Sequence, residues 1–324
     1  MTRLTRISGF IPYMIILFLN AFVDLGHKII IKNTVFKTYD GQEQIVLTAI
    51  VNALILLPFI LLFSPAGFLS DKYPKPKVIR FAALGAVAAT LLITLFYYLG
   101  WFWGAFAMTL ALAVQSAIYS PAKYGYIKEL VGAENLASAN GAVQATTIIG
   151  ILLGTVVFSG AFESLLPDTT DMSTADIIKL VAPIGWFLVI LATIEWLFTF
   201  QLTSTGKTRT DKHFDFKSYV RLGYLAKNLR TVRAREQIFL SIIGLATFWA
   251  ISQVMLAAFP AFAKETLNET NTVVIQGILA CSGLGIMIGS LIAGRISRNY
   301  METGLIPIGA LGISVVIALL PTLN

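Results

Sequence analysis

The sequence predicts an all-α membrane protein, a bundle of long apolar helices built as two related halves. Three observations predict it: the composition, the alternation of positive charge between connecting segments, and an internal repeat. Of the 324 residues, 56% are hydrophobic and 13% charged, with a mean hydropathy of +0.78. Soluble domains carry about a quarter charged residues. Lipid offers backbone polar groups no partners, so spanning segments are helices or a closed barrel. The apolar runs here are long and continuous, which selects helices. At about 20 residues per span, nine are expected, over 10–34, 44–70, 78–99, 101–120, 140–165, 180–202, 237–262, 272–294 and 303–323.

The first span follows Arg3 and Arg6, as in a signal peptide, but no small-residue cleavage site follows and it reads as retained. It carries Asn20, Asp24, Lys28 and Lys32 at intervals of four, with His27 three after Asp24. That spacing sets them on one stripe of a helix. A charge within hydrocarbon costs about 2.5–3.5 kcal/mol on insertion scales, so such residues face water and find partners. One reading is a cavity wall for a zwitterionic head group, with Asp24 toward an amine and Lys28 toward a phosphate. The other is an Asp24–Lys28 ion pair at i, i+4, with Lys28 and Lys32 reaching out to the interface.

Later spans carry isolated polar residues: Asn52, Gln115, Gln144, Glu195, Gln253 and Gln276. The amides read as interhelical hydrogen bonds, and Glu195, next to Trp196, as an interfacial carboxylate. Gly150/Gly154 and Gly285/Gly289 have the spacing of close helix packing. Cys281, the single cysteine, excludes a disulfide framework and reads as a small packing residue. With two histidines a zinc site is not expected. No glycine-rich loop precedes a Lys-Ser/Thr pair, which points away from ATP-driven transport by this chain. No cofactor is expected, and the net charge of +7 is distributed for a membrane rather than for nucleic acid.

On one side of the nine spans, the N-terminus and the segments 71–80, 121–139, 203–236 and 295–302 hold 19 Lys and Arg residues. The opposite side holds three, Lys37, Lys179 and Lys264, with eight acids. Positive loops stay cytoplasmic, so the N-terminus and the 203–236 segment are expected inside. That basic segment divides the chain into a six-helix half, 1–202, a linker, 203–236, and an incomplete half of three helices, 237–324. Some of the linker is able to lie on anionic lipid as a surface helix.

The stretch Ala66-Gly-Phe-Leu-Ser-Asp-Lys-Tyr73 recurs as Ala293-Gly-Arg-Ile-Ser-Arg-Asn-Tyr300. Each copy ends the second helix of a half. Two parallel halves are the repeat pattern of major facilitator transporters. On that pattern about nine of twelve helices are present and the sequence reads as C-terminally truncated. The first copy, Gly67-x-x-x-Asp71-Lys72-x-Pro74-Lys75-x-Lys77, resembles the major facilitator loop signature between helices two and three. The resemblance implies a gating role for Gly67, Asp71, Lys72, Lys75 and Lys77, with Gly67 at a close helix crossing. Pro74 and Pro76 depart from the signature, and Arg298 replaces the aspartate in the second copy.

Three further segments carry a narrower resemblance: Phe18-Leu-Asn-Ala-Phe-Val-Asp24-Leu-Gly-His-Lys28, Ser120-Pro-Ala-Lys-Tyr-Gly125 and Leu136-Ala-Ser-Ala-Asn-Gly141. They resemble the lysophospholipid transporter family of the major facilitators, most strongly over 10–160. Val23, Leu25 and Ile127-Lys128 depart from its usual form. The resemblance implies that Asp24, Lys28, Lys123 and Tyr124, with Asn20 and His27 beside them, meet a lysophosphatidylethanolamine-like lipid. It also implies an inner-membrane protein that flips the lipid for re-acylation, with a fused or associated acyltransferase and acyl-ACP synthetase as partners. Two rival readings stay open: a proton-coupled exporter of amphipathic solutes, and a membrane anchor for a fused acyltransferase.

Overall fold

The computed structural model describes residues 4–133, 135–167, 172–204, 213–296 and 304–319. Among them are thirteen α-helices and no strands. Helix α1 runs Phe10–Thr38, α2 Gly41–Leu61, α3 Phe63–Lys72, α4 Lys75–Leu99, α5 Phe102–Val131 and α6 Leu136–Leu165. Then come α7 Thr174–Leu180, α8 Ala182–Phe198, α9 Phe216–Val220, α10 Gly223–Arg233, α11 Glu236–Glu265, α12 Thr272–Ile296 and α13 Leu305–Leu319. Seven of the described helices are long and apolar enough to cross a membrane, and Leu305–Leu319 is a shorter apolar helix. The expected spans thus appear as helices, and the chain is a multi-pass membrane protein.

The second span differs from expectation: it breaks at Leu62 into α2 and α3. Pro58 lies in the last turn of α2 and Pro65 near the start of α3. A proline lacks the N–H of the helical ladder and crowds the preceding turn. Pro74 and Pro76 then open α4, where the missing N–H groups cost nothing.

Helix α1 is the most enclosed of the seven spans. It packs on α6 and α8, while α4 packs on α5 and α8, and α2 on α5. Small residues make this possible. A Cβ on Gly150 would meet the Phe18 carbonyl oxygen at 3.0 Å, and one on Gly154 would meet Phe22 at 3.5 Å, so the expected close packing holds there. Gly285 and Gly289 have open space around them instead, and so does Gly67. Among the described residues these three are not close crossings. Cys281 is exposed rather than packed. The outward faces carry large apolar side chains such as Leu56, Ile60, Phe81, Leu95 and Ile149, which suit lipid.

Two apolar clusters fill the interior of 1–202. One gathers Ile30, Tyr97, Phe158 and Leu188 toward the end bearing Asp40 and Glu163; the other gathers Tyr13, Leu17, Ile79 and Tyr126 toward the 71–80 loop. These are called below the acidic and the basic end. Helices α11 and α12 join this body through α2 and α6.

Gly26 marks a tight approach between helices: a Cβ there would lie 2.5 Å from Phe158 and 2.8 Å from Leu188. Gly26→Val is therefore expected to destabilise the protein by about 1–3 kcal/mol, read as a lowered unfolding temperature in detergent. Gly67→Ala, with nothing to strike, is expected to leave that temperature unchanged.

A polar cavity on the first helix

The stripe predicted on α1 forms the wall of a cavity of about 330 Å³ between α1, α2, α5 and α6. Asn20, Asp24, His27 and Lys28 line it from α1, and Ser116, Tyr119, Lys123 and Tyr124 from α5. Ile55, Phe59, Leu112 and Ile151 give it an apolar side. The cavity is amphipathic: cations and a carboxylate on one wall, hydrocarbon on another.

Asp24 does not pair with Lys28. It accepts a hydrogen bond from the Ser116 hydroxyl of α5, and its other oxygen has no partner. The ion pairs among the described residues include Lys37–Glu163, Lys75–Glu129 and Lys264–Asp40, and none involves Asp24. Lys28 and Lys123 both lie within electrostatic range of Asp24, yet neither closes on it. The i, i+4 pair expected from the sequence is replaced because Ser116 offers the carboxylate a neutral donor across the helix interface. Two ammonium groups are left facing the cavity.

Lys123 is 7% exposed, its ammonium 5.3 Å from the centre of the Tyr124 ring and 6.0 Å from that of Tyr119. The Tyr13 hydroxyl donates to its backbone carbonyl at 2.7 Å, fixing α5 against α1. Tyr124 is 48% exposed. His27 is fully buried, with Nδ1 2.8 Å from the Tyr97 hydroxyl and Nε2 3.4 Å from that of Thr109. Both ring nitrogens are thus engaged by α4 and α5. Asn20 is buried beside Glu195 of α8, outside hydrogen-bond geometry.

Glu195 corrects its sequence reading. It is 0% exposed, and neither carboxyl oxygen has a partner. It stands behind the cavity wall rather than at the interface, because α8 turns that face onto α1 and α4. Lys32 is likewise enclosed, at 8% exposure, and does not reach out to an interface. Of the amides, Gln276 meets expectation, its Nε2 donating to Asn33 at 3.1 Å. The amide nitrogens of Asn52 and Gln115 find no partner.

At the basic end, Lys75 pairs with Glu129 of α5 and packs over Gly125. Lys72 lies over the Phe68 and Tyr73 rings, and Lys77 over Tyr73. Asp71 is exposed in the last turn of α3. The linker reaches this end too, with the Tyr219 hydroxyl donating to Leu61 O at 2.5 Å and Phe214 against Phe68. Arg298 and the rest of 297–300 lie outside the described residues.

The acidic end is closed by contacts that sequence reasoning missed. Lys37 of α1 pairs with Glu163 of α6 at 3.0 Å and donates to Thr270 O at 3.0 Å. The other Glu163 oxygen accepts from the Thr272 N–H at 2.7 Å. Lys264 of α11 pairs with Asp40 at 2.5 Å and donates to Phe36 O at 3.0 Å. Only the charge count gave a hint, by placing these residues on one side.

The profile of the Major Facilitator Superfamily matches residues 13–324. The lysophospholipid transporter LplT of Photorhabdus laumondii subsp. laumondii is 29% identical over 273 residues, which cover 83% of this chain and 62% of that protein. The protein of the same name from Enterobacter sp. is 27% identical over 295 residues, 87% of this chain and 66% of its own length. The chain thus spans less than two thirds of these relatives. Among solved structures, a D-xylose-proton symporter superposes with a TM-score of 0.57 at 14% identity, over 90% of this chain and 70% of the symporter.

Removing the hydroxyl in Tyr97→Phe strands a nitrogen of buried His27. A loss of roughly 1–3 kcal/mol of stability is expected, measured as thermal unfolding in detergent. Phe is otherwise isosteric, so unchanged stability would show that the contact contributes nothing.

Proposed function

This chain belongs to the major facilitator superfamily, and we propose that it flips a lysophospholipid across the bacterial inner membrane by alternating access. The observation that carries the reading is the cavity: a carboxylate and two unpaired ammonium groups on one wall, an apolar face on the other. A lysophosphatidylethanolamine has the complementary groups, an amine for Asp24, a phosphate for Lys28 and Lys123, and one acyl chain for the apolar side. Relatives that carry the name lysophospholipid transporter support the same substrate.

Alternating access needs a seal at one end at a time. Here Lys37 and Glu163, through Thr270 O and the Thr272 N–H, and Lys264, through Asp40 and Phe36 O, tie α12 and α11 to the first half at the acidic end. With the N-terminus and linker placed in the cytoplasm by the positive-inside rule, this is an inward-facing arrangement. Residues 1–202 and 237–324 are then the rocking halves. Loop 71–80 contributes to gating, with Lys75 anchored on Glu129 and Lys72 and Lys77 held over rings beside Asp71. Delivered lipid is re-acylated by an acyltransferase and acyl-ACP synthetase, fused or associated. The transport step itself consumes no nucleotide.

Buried, unpartnered Glu195 favours one rival, a proton-coupled exporter. Collapse of the proton gradient distinguishes the two: transport that persists sinks the exporter, and transport that stops supports it.

The reading is tested by movement of labelled lysophosphatidylethanolamine in spheroplasts carrying the full-length protein. Asp24→Asn and Lys28→Ala are each expected to lower transport about tenfold or more, the value of a hydrogen bond to a charged group. Wild-type rates in both variants would overturn the site; no transport by the wild type would overturn the function. Weakening the seal, Glu163→Gln is expected to raise labelling, by an impermeant reagent added outside, of a cysteine placed at Thr272.

A further inference from the structure

We propose that Lys32 is a second phosphate-binding position, which receives the lipid head group when the acidic end opens. The inference rests on the lysophospholipid reading and deepens it. Lys32 is four residues beyond Lys28 on α1, where α11 and α12 close over it. It lines a void of about 10 Å³ with Asn33, Thr48, Thr272 and Gln276, room for about one water. Every polar neighbour in that lining is neutral. The lysines on either side of the seal, Lys37 and Lys264, have their own acids, Glu163 and Asp40. Among the described residues no carboxylate pairs with Lys32.

An ammonium enclosed with no anion is a costly arrangement. A structural role does not account for it, since a neutral side chain of similar length would fill the space at less cost. The cost is recovered in a state where an anion is present. Thr272 and Gln276 belong to α12 and Pro260 of the same lining to α11. These two helices are held to the first half by the acidic-end contacts. When those contacts separate, the lid leaves and Lys32 faces the opening.

Lys32, Lys28 and Lys123 then present three ammonium groups in succession from the acidic to the basic end. A phosphodiester passed along them keeps a cationic partner at each stage while its acyl chain stays in hydrocarbon. The closed void is too small for a phosphate, so Lys32 binds only in the outward-open arrangement and hands on as the seal forms.

The full-length protein, reconstituted in vesicles, is given labelled lysophosphatidylethanolamine from the acidic-end side. Lys32→Gln is expected to raise KM about tenfold with a smaller change in kcat, and Lys32→Arg to restore most of it. In detergent, Lys32→Gln is expected to unfold at the same or a higher temperature than wild type. A lower unfolding temperature would mark Lys32 as structural and overturn the proposal. Glycerophosphoethanolamine and inorganic phosphate serve as competitors. Inhibition by the first alone assigns the site to the lipid head group; inhibition by both, lost in Lys32→Gln, assigns it to phosphate as such. If the wild type transports and Lys32→Gln keeps its KM, the inference fails while the lysophospholipid reading stands. If the wild type moves no lysolipid, the reading itself fails and the inference with it.

Discussion

Charge carried through lipid on one helix has to be enclosed, and that requirement sets the plan of the molecule. Helix α1 bears Asp24, His27, Lys28 and Lys32 in a stretch of nine residues. Left facing hydrocarbon, such a helix would be expelled. The remaining spans solve the problem by packing around it. Gly26, Gly150 and Gly154 let α6 and α8 approach within contact, and α5 supplies Ser116 to Asp24 and Thr109 to His27. The apolar clusters lie toward either end of the stripe, so the cavity is what remains where enclosure is incomplete.

Enclosure also separates residues that look alike in the sequence. Asp24 and Glu195 are both carboxylates in spans, yet one opens on the cavity and the other stands behind its wall. His27 and Lys28 are neighbours, but the imidazole is held on both nitrogens while the ammonium is unpaired. On the proposed reading, a site for a zwitterion uses this asymmetry: fixed groups that keep the wall rigid, and free ones that exchange partners with the substrate.

The helices and the stripe were legible because they depend on local regularities, long apolar runs and a four-residue period. The charge count located the acidic end for the same reason. What sequence reasoning missed depends on distant pairings. Ser116 comes to Asp24 from 92 positions away, and Lys264 reaches the end of α1 from 228 positions away. Nothing in the local pattern distinguishes those partners from the Asp24–Lys28 pair that spacing suggested. The break at Leu62 was missed although Pro58 and Pro65 flank it, because hydropathy stays high across the kink. Gly285 and Gly289 show the converse: a packing motif is present, and among the described residues nothing packs against it.

The bonds across the acidic end run mostly between side chains that water still reaches and backbone groups at helix ends. Ion pairs of that kind contribute about 0–1 kcal/mol each, and salt screens them. Such a closure resembles a zip fastener more than a bolt, since it is divided among several weak links rather than held by one strong one. Collective motions of this type fall on the microsecond-to-millisecond scale. The same reasoning makes the hold of α11 and α12 on the first half sensitive to salt, while the apolar packing beneath it is not.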